Sequence, residues 1–120
     1  LDNGCLGYIP KSHNIAFALK KGIYEDKIKY TPYWTLSDFR KTILISDNYA
    51  YIRKNIDPNI LNEFLEKTEP SIFMSGSDLK YNFQPIKAGG ATIFNDSGAH
   101  KGSKTQITER LVMRFFFRKI

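Results

Sequence analysis

Gly89-Gly90-Ala91-Thr92-Ile93-Phe94-Asn95-Asp96-Ser97-Gly98-Ala99-His100-Lys101-Gly102-Ser103-Lys104 is the stretch on which the reading of the whole chain turns. A glycine pair opens it, and Ala91 to Phe94 has the apolar, β-branched character of a strand. Lys101 to Lys104 supplies glycine and polar turn chemistry. From about Thr108 a second apolar run leads into Leu111-Val112-Met113-Arg114-Phe115-Phe116-Phe117-Arg118. The pattern predicts two strands joined by a polar turn, with His100 just before the turn and Arg110 on the returning strand. Neutral imidazole is a common ligand for iron, zinc and copper. Arginine presents a bidentate fork to a carboxylate. One hairpin therefore brings a candidate metal ligand close to a candidate carboxylate anchor.

The returning strand poses a choice of faces. Alternation places Leu111, Met113, Phe115 and Phe117 on one side, and Arg110, Val112, Arg114, Phe116 and Arg118 on the other. If the arginine face is solvent, Arg110 is a surface residue. If helices cover the apolar face from outside, Arg110 points into a cavity. Val112 and Phe116 among the arginines favour a half-buried face.

Working outward, the C-terminal hairpin has a counterpart at the N-terminus. Asp2-Asn3-Gly4 is a turn, and Cys5-Leu6-Gly7-Tyr8-Ile9 is a short apolar strand ending at Pro10. Pro10 to Asn14 reads as a polar turn, with His13 a structural histidine bonded to backbone. Ile15 to Tyr33 shows no clean period and contains Gly22 and Pro32, so it reads as loop with short extended pieces. Tyr24, Tyr30, Tyr33 and Trp34 either line a substrate mouth or cover the edge of a core.

From Thr35 helical signals appear. Thr35 or Ser37 can cap a helix, and Asp38 suits its first turn. Leu36, Phe39 and Ile43 follow at helical spacing, although Ile43-Leu44-Ile45 would also make a strand. Ser46-Asp47-Asn48 reads as a break, after which Tyr49, Ile52 and Ile56 resume a helical stripe. Asp57-Pro58 is a cap followed by proline at the first helical position. It opens a helix with Ile60, Leu61, Phe64 and Leu65 on one face, ending near Lys67. Leu79 to Ile86 reads as extended, and Lys87 to Gly90 as a turn. Strand elements at both ends, with helices inserted between, predict a mainly β protein carrying a helical insertion (α+β), of jelly-roll or β-sandwich architecture.

The 120 residues suffice for one domain, near the lower end for a complete enzyme. No run approaches the roughly 18 apolar residues that a membrane helix needs. A net charge of +6 invites a nucleic-acid partner, but the lysines are scattered among acids, which describes a solvated surface. Neither nucleic acid nor membrane is expected as a partner. Cys5 is the only cysteine, which excludes an internal disulfide and a cysteine metal cluster and favours a reducing, cytoplasmic compartment. No nucleophile elbow, phosphate loop or zinc spacing occurs. Asp96 and His100 stand four apart, a spacing that would align them on a helix but not on an extended segment.

Two segments together resemble the phytanoyl-CoA dioxygenase family of iron(II)- and 2-oxoglutarate-dependent oxygenases. Asp2 to His13 is similar to that family's Asn-Gly, short apolar strand and Pro-Gly-Ser-His stretch, with Lys11 where glycine is usual. Ile86 to Phe117 is similar to its last two core strands. The resemblance implies a double-stranded β-helix (jelly roll, cupin-like), with residues 1–120 forming the C-terminal part of a single oxygenase domain and a variable, partly helical insertion at about 17–79. It implies His100 as the distal ligand of Fe(II) and Arg110 as the anchor of the 2-oxoglutarate cosubstrate in hydroxylation of a small organic substrate. The family's proximal His-x-Asp precedes its Asn-Gly segment, and no His-x-Asp or His-x-Glu occurs here: Asn14 and Ile15 follow His13, and Lys101 and Gly102 follow His100. The missing ligands would come from an N-terminal part of the same domain, and the chain alone would bind iron weakly and not turn over, with no catalytic residue of its own. The competing reading is a non-catalytic β-sandwich binding module, using the Tyr- and Trp-rich segment for a carbohydrate or protein.

Overall fold

Residues 13–24, which lack an obvious helical period on paper, form the first helix of the protein. The structure is a computed structural model and describes residues 6–29, 31–33, 35–69, 82–84, 87–102 and 112–119. In chain order these form strand β1 (Leu6–Tyr8), helices α1 (His13–Tyr24), α2 (Leu36–Leu44), α3 (Ser46–Asn55) and α4 (Pro58–Lys67), and strands β2 (Asn82–Gln84) and β3 (His100–Gly102).

Helix α1 buries Ile15, Ala16, Ala18, Leu19 and Gly22 and leaves Lys20 and Lys21 outside. The stripe is helical, but two alanines and a glycine make up three of its five residues, so hydropathy alone understates it. Gly22 is in the helix because two side chains lie on it. A Cβ there would come within 2.6 Å of Ile28 Cδ1 and 2.8 Å of Tyr51 Cε1. The helix stops where Asp26 adopts φ 55°, while the amides of Lys27 and Ile28 both donate to the Gly22 carbonyl.

The next three helices follow their local signals more closely. Thr35 caps α2 by accepting from the Asp38 amide at 3.1 Å. Phe39, Thr42 and Ile43 face inward, with Leu44 the last helical residue rather than part of a strand. The break before α3 falls at Ile45, whose extended backbone ends one helix and begins the next, and Ser46 is already helical. Asn48 is buried there and donates from Nδ2 to the Thr42 carbonyl at 2.9 Å. Asp57 caps α4 by accepting from the Asn59 amide, with Pro58 at the first helical position. Leu61 and Phe64 are its fully buried residues. Arg40 ties α2 to the end of α4, donating from Nη1 to the Leu65 carbonyl and to Thr68 Oγ1.

These helices share one core with the segment after β1. Ile9, Ile15, Leu19, Ile43, Ile52, Leu61 and Phe64 are essentially inaccessible and belong to a single cluster. Phe39 and Phe64 meet edge-to-face at 5.8 Å. Burial of each such side chain stabilises the fold by about 1.5–3 kcal/mol.

The expected mainly β architecture is not what forms. The described residues hold four helices and one three-stranded sheet, ordered β2-β1-β3, whose strands are three residues each. Neither a jelly roll, a double-stranded β-helix nor a two-sheet sandwich can be assembled from it. Residues 91–95 form no strand, and Ile93 is almost fully exposed. Residues 112–119 form no strand either, and Val112, Met113, Phe115, Phe116 and Phe117 are all exposed, without alternation between two faces. β-branched and aromatic character marks a strand only where a neighbouring strand or core face receives it. In the described residues these runs have none, whereas the weakly patterned 13–24 has a helical face to bury. Trp34, Tyr30, Cys5 and Arg110 lie outside the described residues. No described helix is long and apolar enough to cross a membrane.

What positions the site is the central strand. β1 pairs antiparallel with β2 on one side (Leu6↔Gln84, Tyr8↔Asn82) and with β3 on the other (Leu6↔Gly102, Tyr8↔His100). Segments from opposite ends of the chain thus meet at one short sheet.

Candidate functional site

His100 is the first residue of β3, directly across from Tyr8. A turn at 95–98 presents it from before; of the turn expected at Lys101 to Lys104, Ser103 and Lys104 lie outside the described residues. Asn95 Oδ1 accepts from the Ser97 amide at 3.0 Å, and the Asn95 carbonyl accepts from the Gly98 amide at 3.0 Å. Asparagine followed by polar residues and glycine is the ordinary chemistry of such a turn.

The turn is stitched to the N-terminal segment. The Ile9 amide donates to the Ala99 carbonyl at 2.9 Å. Ser12, fully buried, donates its hydroxyl to the Ile9 carbonyl at 2.6 Å and accepts from the Ala99 amide at 2.7 Å. Although it precedes α1 immediately, its side chain makes no capping bond to that helix. One hydroxyl thus joins residue 9 to residue 99. Lys11, in the same tight passage, has φ 58°, a left-handed backbone that favours glycine.

Tyr8 completes the clasp. Its hydroxyl donates to the Asn95 carbonyl at 3.1 Å. That uses its only proton, so the contact of 3.4 Å to His13 Nδ1 is made with the imidazole as donor. His13 therefore bonds to a side-chain hydroxyl rather than to backbone, and its ring also meets Phe17 edge-on at 5.6 Å. The Tyr8 phenol lies over Gly98, where a Cβ would collide with its ring carbons and oxygen. Burial raises the Tyr8 phenol above its usual 10, partly offset by the polar Ser12 side chain nearby. Phe94 bridges the two strands, 5.8 Å from the Tyr8 ring and 5.1 Å from the His100 ring.

Within this frame His100 has a defined orientation. Nδ1 lies 2.7 Å from the Gly98 carbonyl, which can only accept, so Nδ1 carries a proton. Nε2 is turned toward Asp96, 3.4 Å from Oδ1. The side chain of His100 is 28% exposed and that of Asp96 64%, so both are reachable from solvent. The 95–98 turn brings together two residues that strand geometry would separate. Asn95-Asp96-Ser97-Gly98, read as turn chemistry, is the signal that would have found the pair. Tyr8, Ser12 and Gly98 were legible only as members of short apolar or polar runs.

Arg110 lies outside the described residues, so the structure does not relate it to His100. A shallow cavity of about 430 Å³ lies elsewhere, along the outer face of α1 where Phe17 and Lys21 meet Ile56 and Ile60. None of the His100 surroundings lines it, and its floor of mixed side chains offers no convergent chemistry. Tyr33 packs on Phe39 at 4.9 Å and Tyr24 is exposed at the end of α1, so these two do not gather into one mouth.

A facial triad for iron needs two histidines and a carboxylate on one metal. The described residues contain no group of three or more His, Cys, Asp or Glu side chains that could hold a metal ion. His100 and Asp96 supply two donors, so a complete iron centre does not fit the described residues, and no reaction step is derived through one. No family model, curated protein or solved structure matches the chain.

Proposed function

We propose that the chain is the part of an iron(II)- and 2-oxoglutarate-dependent oxygenase that carries the distal histidine, in a protein that hydroxylates a small organic substrate. One observation carries the reading: the two segments that resemble the phytanoyl-CoA dioxygenase family, at opposite ends of the chain, are bonded to each other around His100. Ser12 and Ile9 on one side and Ala99 on the other make that junction. Lys11 adds weight, because it holds a left-handed backbone at the position where the family's stretch has glycine.

In this reading His100 offers Nε2 to the metal while the Gly98 carbonyl keeps Nδ1 protonated. The reading gives Arg110 the far carboxylate of 2-oxoglutarate. The remaining iron ligands come from residues outside this chain, so the 120 residues alone do not turn over.

The test begins with the coding sequence upstream of Leu1, which should contain His-x-Asp within a few tens of residues. The protein extended to include that motif should decarboxylate 2-oxoglutarate in an iron-dependent manner. His100→Ala and Arg110→Ala should each abolish that turnover. An upstream sequence without the motif, or full turnover in both variants, would end the oxygenase reading.

A further inference from the structure

Five of the eleven large apolar side chains exposed among the described residues fall within eight consecutive positions, Val112 to Lys119. Val112, Met113, Phe115, Phe116 and Phe117 are 50–87% exposed, and Arg114, Arg118 and Lys119 are exposed beside them. No acidic residue occurs from Arg110 to Ile120. The three cations make no ion pair among the described residues. None of the five apolar side chains belongs to the helical core or packs against it. The run is thus both apolar and cationic, and the fold uses neither property.

That combination narrows the class of partner. Addition to the edge of another sheet would cover Met113, Phe115 and Phe117 and leave Val112 and Phe116 in water with the arginines. Pairing with the same run of a second copy would set cation against cation. Single-stranded nucleic acid stacks on rings, and Val112 and Met113 have none. The surface of an anionic bilayer meets both properties at once. Its headgroup–acyl boundary receives apolar groups from every side of a short segment, and its headgroups supply the counter-charge. Arginine and lysine suit that boundary, with apolar stems and charged tips. The lack of an apolar run long enough to span a bilayer bears on crossing helices, not on a segment lying in the surface.

We propose that residues 112–119 bind the surface of an anionic membrane. Phe115, Phe116 and Phe117, with Val112 and Met113, enter the headgroup–acyl boundary, and Arg114, Arg118 and Lys119 hold the anionic headgroups. The contact is peripheral and reversible, and it is independent of the oxygenase reading. Each cation near such a surface contributes about fivefold in affinity, so the three together favour an anionic over a neutral bilayer by roughly a hundredfold.

Co-sedimentation of the 120-residue chain with two kinds of vesicle tests this, one of phosphatidylcholine alone and one of phosphatidylcholine and phosphatidylserine in equal parts. Binding should be at least about tenfold tighter to the mixed vesicles and should weaken as salt rises. Arg118→Gln should weaken it about fivefold. A variant combining Phe115→Ser, Phe116→Ser and Phe117→Ser should lose it, with the helical circular dichroism unchanged because the run lies outside the core. Equal binding to both vesicles, or full binding by the triple variant, would overturn the proposal. Tighter binding to a single-stranded oligonucleotide than to the mixed vesicles, lost in the same variant, would assign the run to nucleic acid instead. A dimer abolished by that variant would assign it to a second copy. The protein extended upstream of Leu1 should bind the mixed vesicles as the chain does. Loss of binding on extension would show the run covered by the rest of its own domain, overturning this proposal while leaving the oxygenase reading untouched.

Discussion

Helix α4 and the 94–102 segment are both short, and near the start of each an Asx side chain accepts from a backbone amide two positions on. Asp57 accepts from Asn59, and Asn95 accepts from Ser97. After that they diverge. In α4 everything needed to continue is local: proline at the first helical position, then Leu61 and Phe64 at helical spacing. In 94–102 nothing local continues the structure. Its order comes from Tyr8, Ile9 and Ser12, at the far end of the chain. A helix satisfies its backbone within itself, whereas a strand or turn must find its partners elsewhere. The first region is therefore robust and structural, and the second is where small changes would disable a site.

The largest expected effect tests the helical side. Phe64→Ala removes the ring that Phe39 meets in the core and should cost about 3–5 kcal/mol, read by chemical denaturation. A loss below about 1 kcal/mol would mean that the helices do not share the cluster described. Next is the stitch. Ser12→Ala leaves the Ala99 amide without its acceptor and should cost about 1–3 kcal/mol. Amide exchange should accelerate selectively at Ile9 and Ala99, with α4 unaffected. Uniform acceleration throughout would erase the contrast between the regions.

A smaller effect has the opposite sign. Lys11→Gly relieves a left-handed backbone and should raise the denaturation midpoint, by up to about 1 kcal/mol of stability. Destabilisation by this change would show that the Lys11 side chain, not its backbone, matters there. The pH dependence is the smallest. The Tyr8 phenol is raised above 10 in the fold, chiefly by burial, so the folded state holds that proton more tightly than the unfolded chain. Its contribution is fully present below pH 10 and is lost as pH rises through the folded value. In Tyr8→Phe that component of the alkaline decline should disappear.

Legibility followed the same division. Asp57-Pro58, Thr35 and the turn at Lys87 to Gly90, with Gly89 at φ 84°, could be read locally because capping and turn chemistry act within a few residues. The short strand near Cys5 to Ile9 was also legible, as Leu6–Tyr8. The helix at 13–24 was not, since its inward face depends on small residues that pack rather than on strongly apolar ones. No strand forms at 91–94 or over 112–119, because aromatic and β-branched composition does not by itself supply a pairing partner; the part of the expected C-terminal strand before 112 lies outside the described residues. Four-residue spacing aligns Asp96 and His100 on a helix and separates them on a strand, whereas here a turn brings the pair together.

The sequence by itself determined where helix α4 starts, that a helix opens near Thr35 or Ser37, that His100 stands in a polar, glycine-bearing stretch, and that no cysteine metal cluster is available. Those properties reside in neighbouring residues and their side-chain chemistry. Only the tertiary structure decided that helices, not a jelly roll, organise the described core, and that His100 faces Asp96 with its other nitrogen tied to Gly98. The physical reason is range. Tyr8, Ile9 and Ser12 reach residues 95–100 through bonds that no local pattern encodes, and those bonds set the turn in which the histidine is held.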